Sequence, residues 1–387
     1  MNNPGVVASD AKVRRNGKGG KNRSNVFPLD VGILHPDHPV MVWSKHPSCK
    51  GFVQKFRGTS FRYIQKSHAF LTCRKLLSLH VMADMHCKVC GNVEQQRFQQ
   101  VYAFPTFEVW SCTVCNFHFV PPAFTELVSY DHYKTKAEQE TVRQGNDWLK
   151  IQRHKSRLRK INRLQHGGKL FDLGVGWGHF LAAARDMGYN VSGVELSEYQ
   201  WEYATRDLGL PVEHMNFFDL PASPGSTDVI TMWDVLEHIE DAGAVLDRIH
   251  DMLCDNGLLV LQVPQIDSYI SKKTRDKWSM LSHTHVNYFS PSTITRLLQD
   301  HGFEVLKIRS SIELKLLLMY VIYPRKRKKQ GTADSISSDD RQHYFNKVTN
   351  RPKWILRIAV FLHDVIYDLL SLLNIGEEMV VYARKKA

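Results

Sequence analysis

The chain is predicted to fold as an α/β protein around a doubly wound, mainly parallel sheet. Two observations carry that prediction. Leu170–Glu195, LFDLGVGWGHFLAAARDMGYNVSGVE, reads as strand, glycine turn, helix, strand and a terminal acid. Downstream, apolar runs that read as strands alternate with helical patterns, first at Asp228–Ile239 and again from Asn256–Pro264 onward. Such alternation suits helices packed on both faces of a sheet, and the glycine turn marks the edge where such a sheet binds ligands.

Taken in order, residues 1–84 read as a disordered basic extension. The net charge of +12 over 387 residues is concentrated there: residues 1–81 hold 14 Lys and Arg against three Asp and no Glu. The remainder is close to neutral, so the basic balance does not belong to the folded part. The apolar fraction of 43% is that of a soluble globular protein. The extension has no sustained helical or strand period and no signal-peptide core. It reads as disordered or untranslated, with Met82 and Met85 just before the next element. A basic arm and an organelle-targeting peptide are the alternatives.

Residues 85–122 are predicted to be a zinc ribbon. Cys87-Lys-Val-Cys90 and Cys112-Thr-Val-Cys115 have 21 residues between them, slightly more than the usual two-knuckle spacing. In a cytosolic protein such pairs read as metal ligands rather than disulfides. Four thiolates fill a tetrahedral shell with no open position, so the Zn2+ is expected to be structural. Gly91 suits the first knuckle's turn, and Phe107–Trp110 and Phe117–Val120 alternate like strands. Lys88 is almost the only charge on the knuckles, which argues against nucleic acid. His86 and His118 read as surface residues, and Cys49, Cys73 and Cys254 as free thiols.

Residues 123–168 form a connecting helical segment. The pattern runs from about Lys134 to Gln165 and stops at Gly167-Gly168. Its second half carries Lys150, Arg153, Lys155, Arg157, Arg159, Lys160 and Arg163 with no acid, opposite Ile151, Leu158, Ile161 and Leu164. That is a solvated basic face or a contact for a phosphorylated or nucleotide-linked acceptor.

Residues 169–310 are the expected core. Its first turn reads D-x-G-x-G-x-G, Asp172 then Gly174, Gly176 and Gly178, and not the G-x-G-x-x-G of a dinucleotide fold. Glycines remove the β-carbons that would keep a ligand from the backbone. Glu195 is placed to accept hydrogen bonds from two ribose hydroxyls, and Asp172 to hold an ammonium directly or through water. The segment resembles the first motif of class I S-adenosylmethionine-dependent methyltransferases. With the Cys pairs, Trp278, His283–Pro291 and Gly302–Val305, the chain is similar to the zinc-ribbon-bearing members of bacterial small-molecule and surface-glycan pathways. The likeness runs from about Cys87 to Ile308.

That resemblance implies a seven-stranded Rossmann-like sheet, S-adenosyl-L-methionine as cofactor, and a set of site residues. Asn216 stands where the family commonly has an Asp for the adenine amino group, with Asp219 as the alternative. Phe217 is expected to offer its backbone N–H to the adenine ring, and Trp233 to form one wall of the cofactor pocket or to be ordinary core. The H-x-x-Y-F segment lies over the acceptor in this family, which singles out His285 and Tyr288. A hydroxyl or acidic-carbon acceptor needs a base near neutral pH; His238, His283 and His285 are the candidates, of which His285 and His238 are preferred, and Glu237 orients His238 or begins a helix face.

Residues 311–378 read as a helical insertion with a basic run, Arg325–Lys329, and residues 379–387 as the last strand. Trp354–Ile375 is apolar except for a stripe of Arg357, Asp364, Asp368 and Ser371. Its charges argue against a spanning helix. It is expected to be buried in the protein or a dimer interface, or to lie in a membrane surface, where the basic run suits anionic lipid. The protein is therefore read as a cytoplasmic methyltransferase acting on a small molecule or sugar, with either a homodimer interface or a peripheral membrane contact through 354–375. A nucleic-acid-binding protein is the alternative class, and a nicotinamide-dependent oxidoreductase is disfavoured by the glycine spacing.

Overall fold

The computed structural model describes residues 85–125, 147–311 and 375–386, together with 352, 354, 357–358, 361–362, 365–366, 369 and 371. The basic extension, most of the first half of the connecting segment and the basic run lie outside the described residues.

Seven strands build the main sheet: β4 (Lys169–Leu173), β5 (Asn190–Val194), β6 (Val212–Glu213), β7 (Thr227–Trp233), β8 (Leu253–Pro264), β10 (Phe303–Ser311) and β11 (Glu378–Lys385). Their order is β10-β11-β8-β7-β4-β5-β6. β11 runs antiparallel to both neighbours, and β4, β5, β6, β7 and β8 pair in parallel. Gly257–Pro264 is buried without interruption, as expected of a strand covered on both faces. β8 starts three residues before the predicted Asn256 because it continues directly from the preceding helix.

The principal helices are α1 (Asp147–Asn162), α2 (His179–Asp186), α3 (Glu198–Glu202), α4 (Ala242–Met252), α5 (Tyr269–Thr274) and α6 (Pro291–Asp300). Alternate strand residues feed separate cores. Leu170, Val191, Val229 and Val260 meet α1 and α2 through Leu158, Ile161 and Leu181, while Phe171, Ile230, Leu259 and Val381 meet α4 and α6 through Leu246, Ile249 and Leu297. The connecting helix thus buries the predicted apolar stripe; on its basic side Arg153 and Arg159 are exposed, while Lys155 reaches Asp186 at 2.8 Å. α6 begins sharply because Ser290 and Thr293 form a capping box with Pro291 in the first turn.

A second, four-stranded sheet has the order β1-β2-β3-β9: β1 (Phe98–Ala103), β2 (Glu108–Cys112), β3 (His118–Phe119) and β9 (Asn287–Tyr288). Its last strand belongs to the H-x-x-Y-F segment, which pairs His118 with Tyr288 and Phe119 with Asn287. The cysteine-bearing module is therefore fused to the core by backbone hydrogen bonds.

The C-terminal insertion departs from one expectation. Trp354, Phe361 and Leu369 are 63%, 65% and 62% exposed, and Ile358, Leu362, Val365 and Ile366 are exposed as well. Burial inside this chain is not found at these residues. Among the described residues no helix is long and apolar enough to cross a membrane.

Candidate active site

β4 lies between β5 and β7, so the chain leaves it at the point where the sheet's winding reverses, the place where open α/β sheets bind ligands. The turn that follows has φ of +76° at Gly174, +56° at Gly176 and +75° at Gly178, a region that L side chains avoid. The three glycines have different work. A Cβ at Gly174 would lie 2.6 Å from Val235 Cγ2, and one at Gly178 2.7 Å from Leu210 Cδ1, so both permit close packing. A Cβ at Gly176 would find nothing nearer than Gln200 Oε1 at 3.9 Å. Gly176 is the one that faces open space.

Two buried acids flank the turn. Glu195 is 5% exposed; its Oε2 accepts from the Gly176 N–H at 2.7 Å and its Oε1 from the Ser197 N–H at 2.8 Å. Burial pushes its carboxyl up, and these two N–H groups pull it back. Asp172 is 1% exposed; its Oδ1 accepts from Thr231 Oγ1 at 2.5 Å and its Oδ2 has no partner. Burial holds it well above the usual carboxylate range.

Asn216 is exposed at the end of β6, where its side chain caps a short turn by accepting from the Phe218 N–H at 3.0 Å. Asp219 is also exposed. Phe217 is buried beside Phe171, under the guanidinium of Arg248. Trp233 is not brought to Phe217: it lies on the other face, 4.9 Å from Phe180 with Arg157 stacked 4.7 Å above it. With Arg157, Lys160, Arg163, Lys307 and Arg309 it lines a cavity of about 270 Å³.

The histidines converge. The His238 and His285 rings are 4.6 Å apart and nearly perpendicular. His238 follows β7 in the turn Leu236–His238, which begins at Val235 against the glycine loop. Val286 donates its N–H to the Glu237 carbonyl at 2.8 Å, and Asn287 Nδ2 donates to the Ile239 carbonyl at 2.7 Å. These bonds clamp the two segments together. Burial lowers His238, and burial together with His238 pushes His285 down to about 3, so His285 is neutral near pH 7. His283 is exposed. The Tyr288 hydroxyl is fully buried, donating to the Ser282 carbonyl and accepting from its N–H. It anchors the loop that carries His285.

The four cysteines also meet. Cys87 Sγ is 3.5 Å from Cys115 Sγ, Cys90 Sγ is 3.6 Å from Cys112 Sγ, and all four sulfurs lie within 4.8 Å of one another. The two turns match: Gly91 (φ +70°) sends its N–H to the Cys87 carbonyl, and Asn116 (φ +61°) sends its N–H to the Cys112 carbonyl. Asn116 was not singled out from sequence, although Asn is the non-glycine residue that best accepts that conformation. Asn287, fully buried, was also missed; its role depends on a partner 48 residues away.

A family model described as a methyltransferase domain matches residues 148–308. Over those residues the chain is similar to a methyltransferase domain. The chain is 33% identical over 110 residues to sphingolipid C9-methyltransferase 2 of Gibberella zeae, covering 26% of this chain and 21% of that one. It is 24% identical over 151 residues to a ubiquinone biosynthesis O-methyltransferase of Thiobacillus denitrificans, covering 36% of this chain and 65% of that one. The chain thus spans less than two thirds of either relative. Among solved structures, an S-adenosylmethionine-dependent methyltransferase from Thermotoga maritima is similar with a TM-score of 0.39 and 17% identity, over 62% of this chain and 93% of that one.

Proposed function

We propose that the whole chain is an S-adenosylmethionine-dependent methyltransferase acting on a small molecule or a sugar or glycan precursor. The observation that carries the reading is the Asp172–Glu195 turn, in which Gly176 opens toward solvent between two buried carboxylates. The cofactor fits these residues: Gly176 leaves room at the backbone, Glu195 is held at the base of the turn as a hydroxyl acceptor, and the orphaned Asp172 Oδ2 is an acceptor for an ammonium or its water. When bound, the cofactor supplies an electrophilic methyl group on a sulfonium.

The remaining residues position and deprotonate. Asn216 and the Phe217 backbone N–H lie at the end of β6 for the adenine, whereas Trp233, on the other face, is left out of the cofactor pocket. His238 or His285 takes the acceptor's proton as the new bond to the methyl carbon forms and the carbon–sulfur bond breaks. With His285 held down to about 3 by burial and by His238, His238 is the stronger base of the two. Tyr288 positions His285. Much of the acceleration comes from alignment of the two reactants. The cationic cavity beside Trp233 gives a phosphate-bearing acceptor its counter-charges and is the reason for including nucleotide-linked sugars.

We further propose a structural zinc ion in the Cys87, Cys90, Cys112 and Cys115 cluster. Zn–S bonds of about 2.3 Å in a tetrahedron place sulfurs about 3.8 Å apart, close to the pairs observed here. The ribbon orders β3, and β3 orders β9 next to His285. Exposed Trp354, Ile358, Phe361, Leu362, Val365, Ile366 and Leu369, following the basic run Arg325–Lys329 in sequence, fit a cytoplasmic protein that touches an anionic membrane surface. The test is methyl transfer from labelled cofactor to a panel of nucleotide sugars, quinol precursors and lipids. Transfer to at least one, lost in Glu195→Ala, supports the reading; labelled transfer unaffected by Glu195→Ala counts against the assigned site.

A further inference from the structure

The pairing of His238 with His285 has a third member that general-base chemistry does not require. Glu237 Oε1 is 4.0 Å from His238 Nε2. One ligand atom from each of Glu237, His238 and His285 lies within 4.8 Å of the other two. The Glu237 side chain is 2% exposed, and its Oε2 has no hydrogen-bond partner. A buried carboxylate oxygen left without a donor is costly unless a proton or a cation completes it.

The histidines are oriented as ligands are. His238 Nδ1 lies 2.8 Å from the Thr284 carbonyl, and His285 Nδ1 lies 2.8 Å from the Met280 carbonyl. Because a carbonyl only accepts, each ring carries its proton on Nδ1 and presents a lone pair at Nε2. A backbone carbonyl behind the far nitrogen is the usual outer support of a metal-binding histidine. The two rings come from different segments, fixed to each other by Val286 N–H to the Glu237 carbonyl and by Asn287 to Ile239. The constellation is thus preformed, and it is reachable from solvent through His238, whose side chain is 34% exposed.

We propose that Glu237, His238 and His285 form a binding site for a divalent first-row transition ion, distinct from the cysteine cluster. Two neutral imidazoles and one carboxylate are the donor set of catalytic zinc and of non-haem iron sites, in which further positions stay open. Ligands on a zinc-sized ion sit about 3.3 Å apart at bond lengths of about 2.0–2.1 Å, so the side chains need to close by about an ångström or somewhat more. An ion there polarises an oxygen acceptor as a Lewis acid. That narrows the acceptor to one bearing a hydroxyl or enol oxygen, a deepening that rests on the methyltransferase reading; binding of the ion does not.

The test uses the full chain with zinc in the cysteine cluster. Co2+ is titrated into it, with total metal counted by elemental analysis and S-adenosylhomocysteine binding measured on the same sample. A second ion per chain is expected, with visible bands of nitrogen and oxygen ligation and no sulfur charge transfer. Its affinity should fall at least about a hundredfold in His285→Ala and in His238→Ala, while the cysteine-bound ion stays. Glu237→Gln, nearly isosteric, is the third variant; thermal melts of all three show whether the fold is kept. A single ion per chain, or a second ion bound equally well by His285→Ala, overturns the inference and leaves the pair as proton acceptors. Loss of S-adenosylhomocysteine binding with the second ion retained would instead overturn the proposed function alone.

Discussion

Gly174 and Gly176 look equivalent in sequence, yet replacing each by alanine should have different consequences. Both have positive φ, so either alanine pays the left-handed backbone cost of about 1–2 kcal/mol. At Gly176 that is nearly the whole effect on stability, because the new methyl's nearest neighbour is 3.9 Å away. The methyl would occupy the side on which a ligand approaches. At Gly174 the methyl lies 2.6 Å from Val235 Cγ2, and overpacking of that kind raises the total to about 2–5 kcal/mol. Val235 leads into the turn that carries Glu237 and His238, so the displacement reaches the histidines. Gly176→Ala should therefore melt only a few degrees low yet bind S-adenosylhomocysteine at least about tenfold more weakly, a loss of about 1.4 kcal/mol. Gly174→Ala should lose clearly more stability, and adding Val235→Ala should return part of it. Calorimetry and thermal melts on the three variants decide the matter. Wild-type affinity in Gly176→Ala, or equal stability loss at the two positions, would refute the division of roles.

Further outcomes follow from the same geometry. Cys112→Ser should lose zinc by elemental analysis and lower the melting temperature, since metal binding contributes directly to folding in such modules; a stable, metal-free wild type would contradict the ribbon. Cys90→Ser should reduce turnover more than S-adenosylhomocysteine affinity, because β3 supports β9 and not the glycine loop; an equal loss in both would show that the link through β9 is wrong. A histidine with a depressed folded pKa binds more protons when unfolded, so its contribution to stability is present above the unfolded pKa of about 6.5 and falls as pH drops toward 3. The raised carboxyls of Asp172 and Glu237 act in the opposite sense, so the informative quantity is wild type minus His285→Gln. That difference should change by up to about 1.4 kcal/mol per pH unit below 6.5, and a flat difference in chemical denaturation would exclude a buried neutral His285. Trp354→Ser with Phe361→Ser should weaken co-sedimentation with anionic vesicles; unchanged sedimentation would remove the membrane contact.

The parts legible in sequence were those with local signatures. The D-x-G-x-G-x-G turn, the two C-x-x-C pairs and the alternating strand and helix runs each announce themselves within about ten residues. The stripe of Ile151, Leu158 and Ile161 on α1, with Leu164 just past its end, was readable because helical periodicity is enough to choose a face. What escaped depends on contacts between distant segments. Pairing of β3 with β9 joins residues about 170 apart and has no periodic signal. The same holds for Asn287 bracing the Glu237 turn. Trp233 was readable as a strand-end aromatic, but its partners, Phe180 and Arg157, come from helices whose placement the sequence pattern does not give. For Trp354–Ile375 the sequence leaves burial in the protein, a dimer interface and a membrane surface open; that Trp354, Phe361 and Leu369 are exposed in this chain follows only from the packing around them.

On the proposed function, the Asp172–Glu195 turn holds an adenosyl sulfonium cofactor and not a dinucleotide. Isothermal calorimetry of the full chain with S-adenosylhomocysteine, and in parallel with NAD, tests it most directly. Saturable one-to-one binding of S-adenosylhomocysteine, severely weakened in Glu195→Ala, with no heat from NAD, is the predicted result. Binding of NAD with none of S-adenosylhomocysteine would make the turn a dinucleotide site and refute the proposed function.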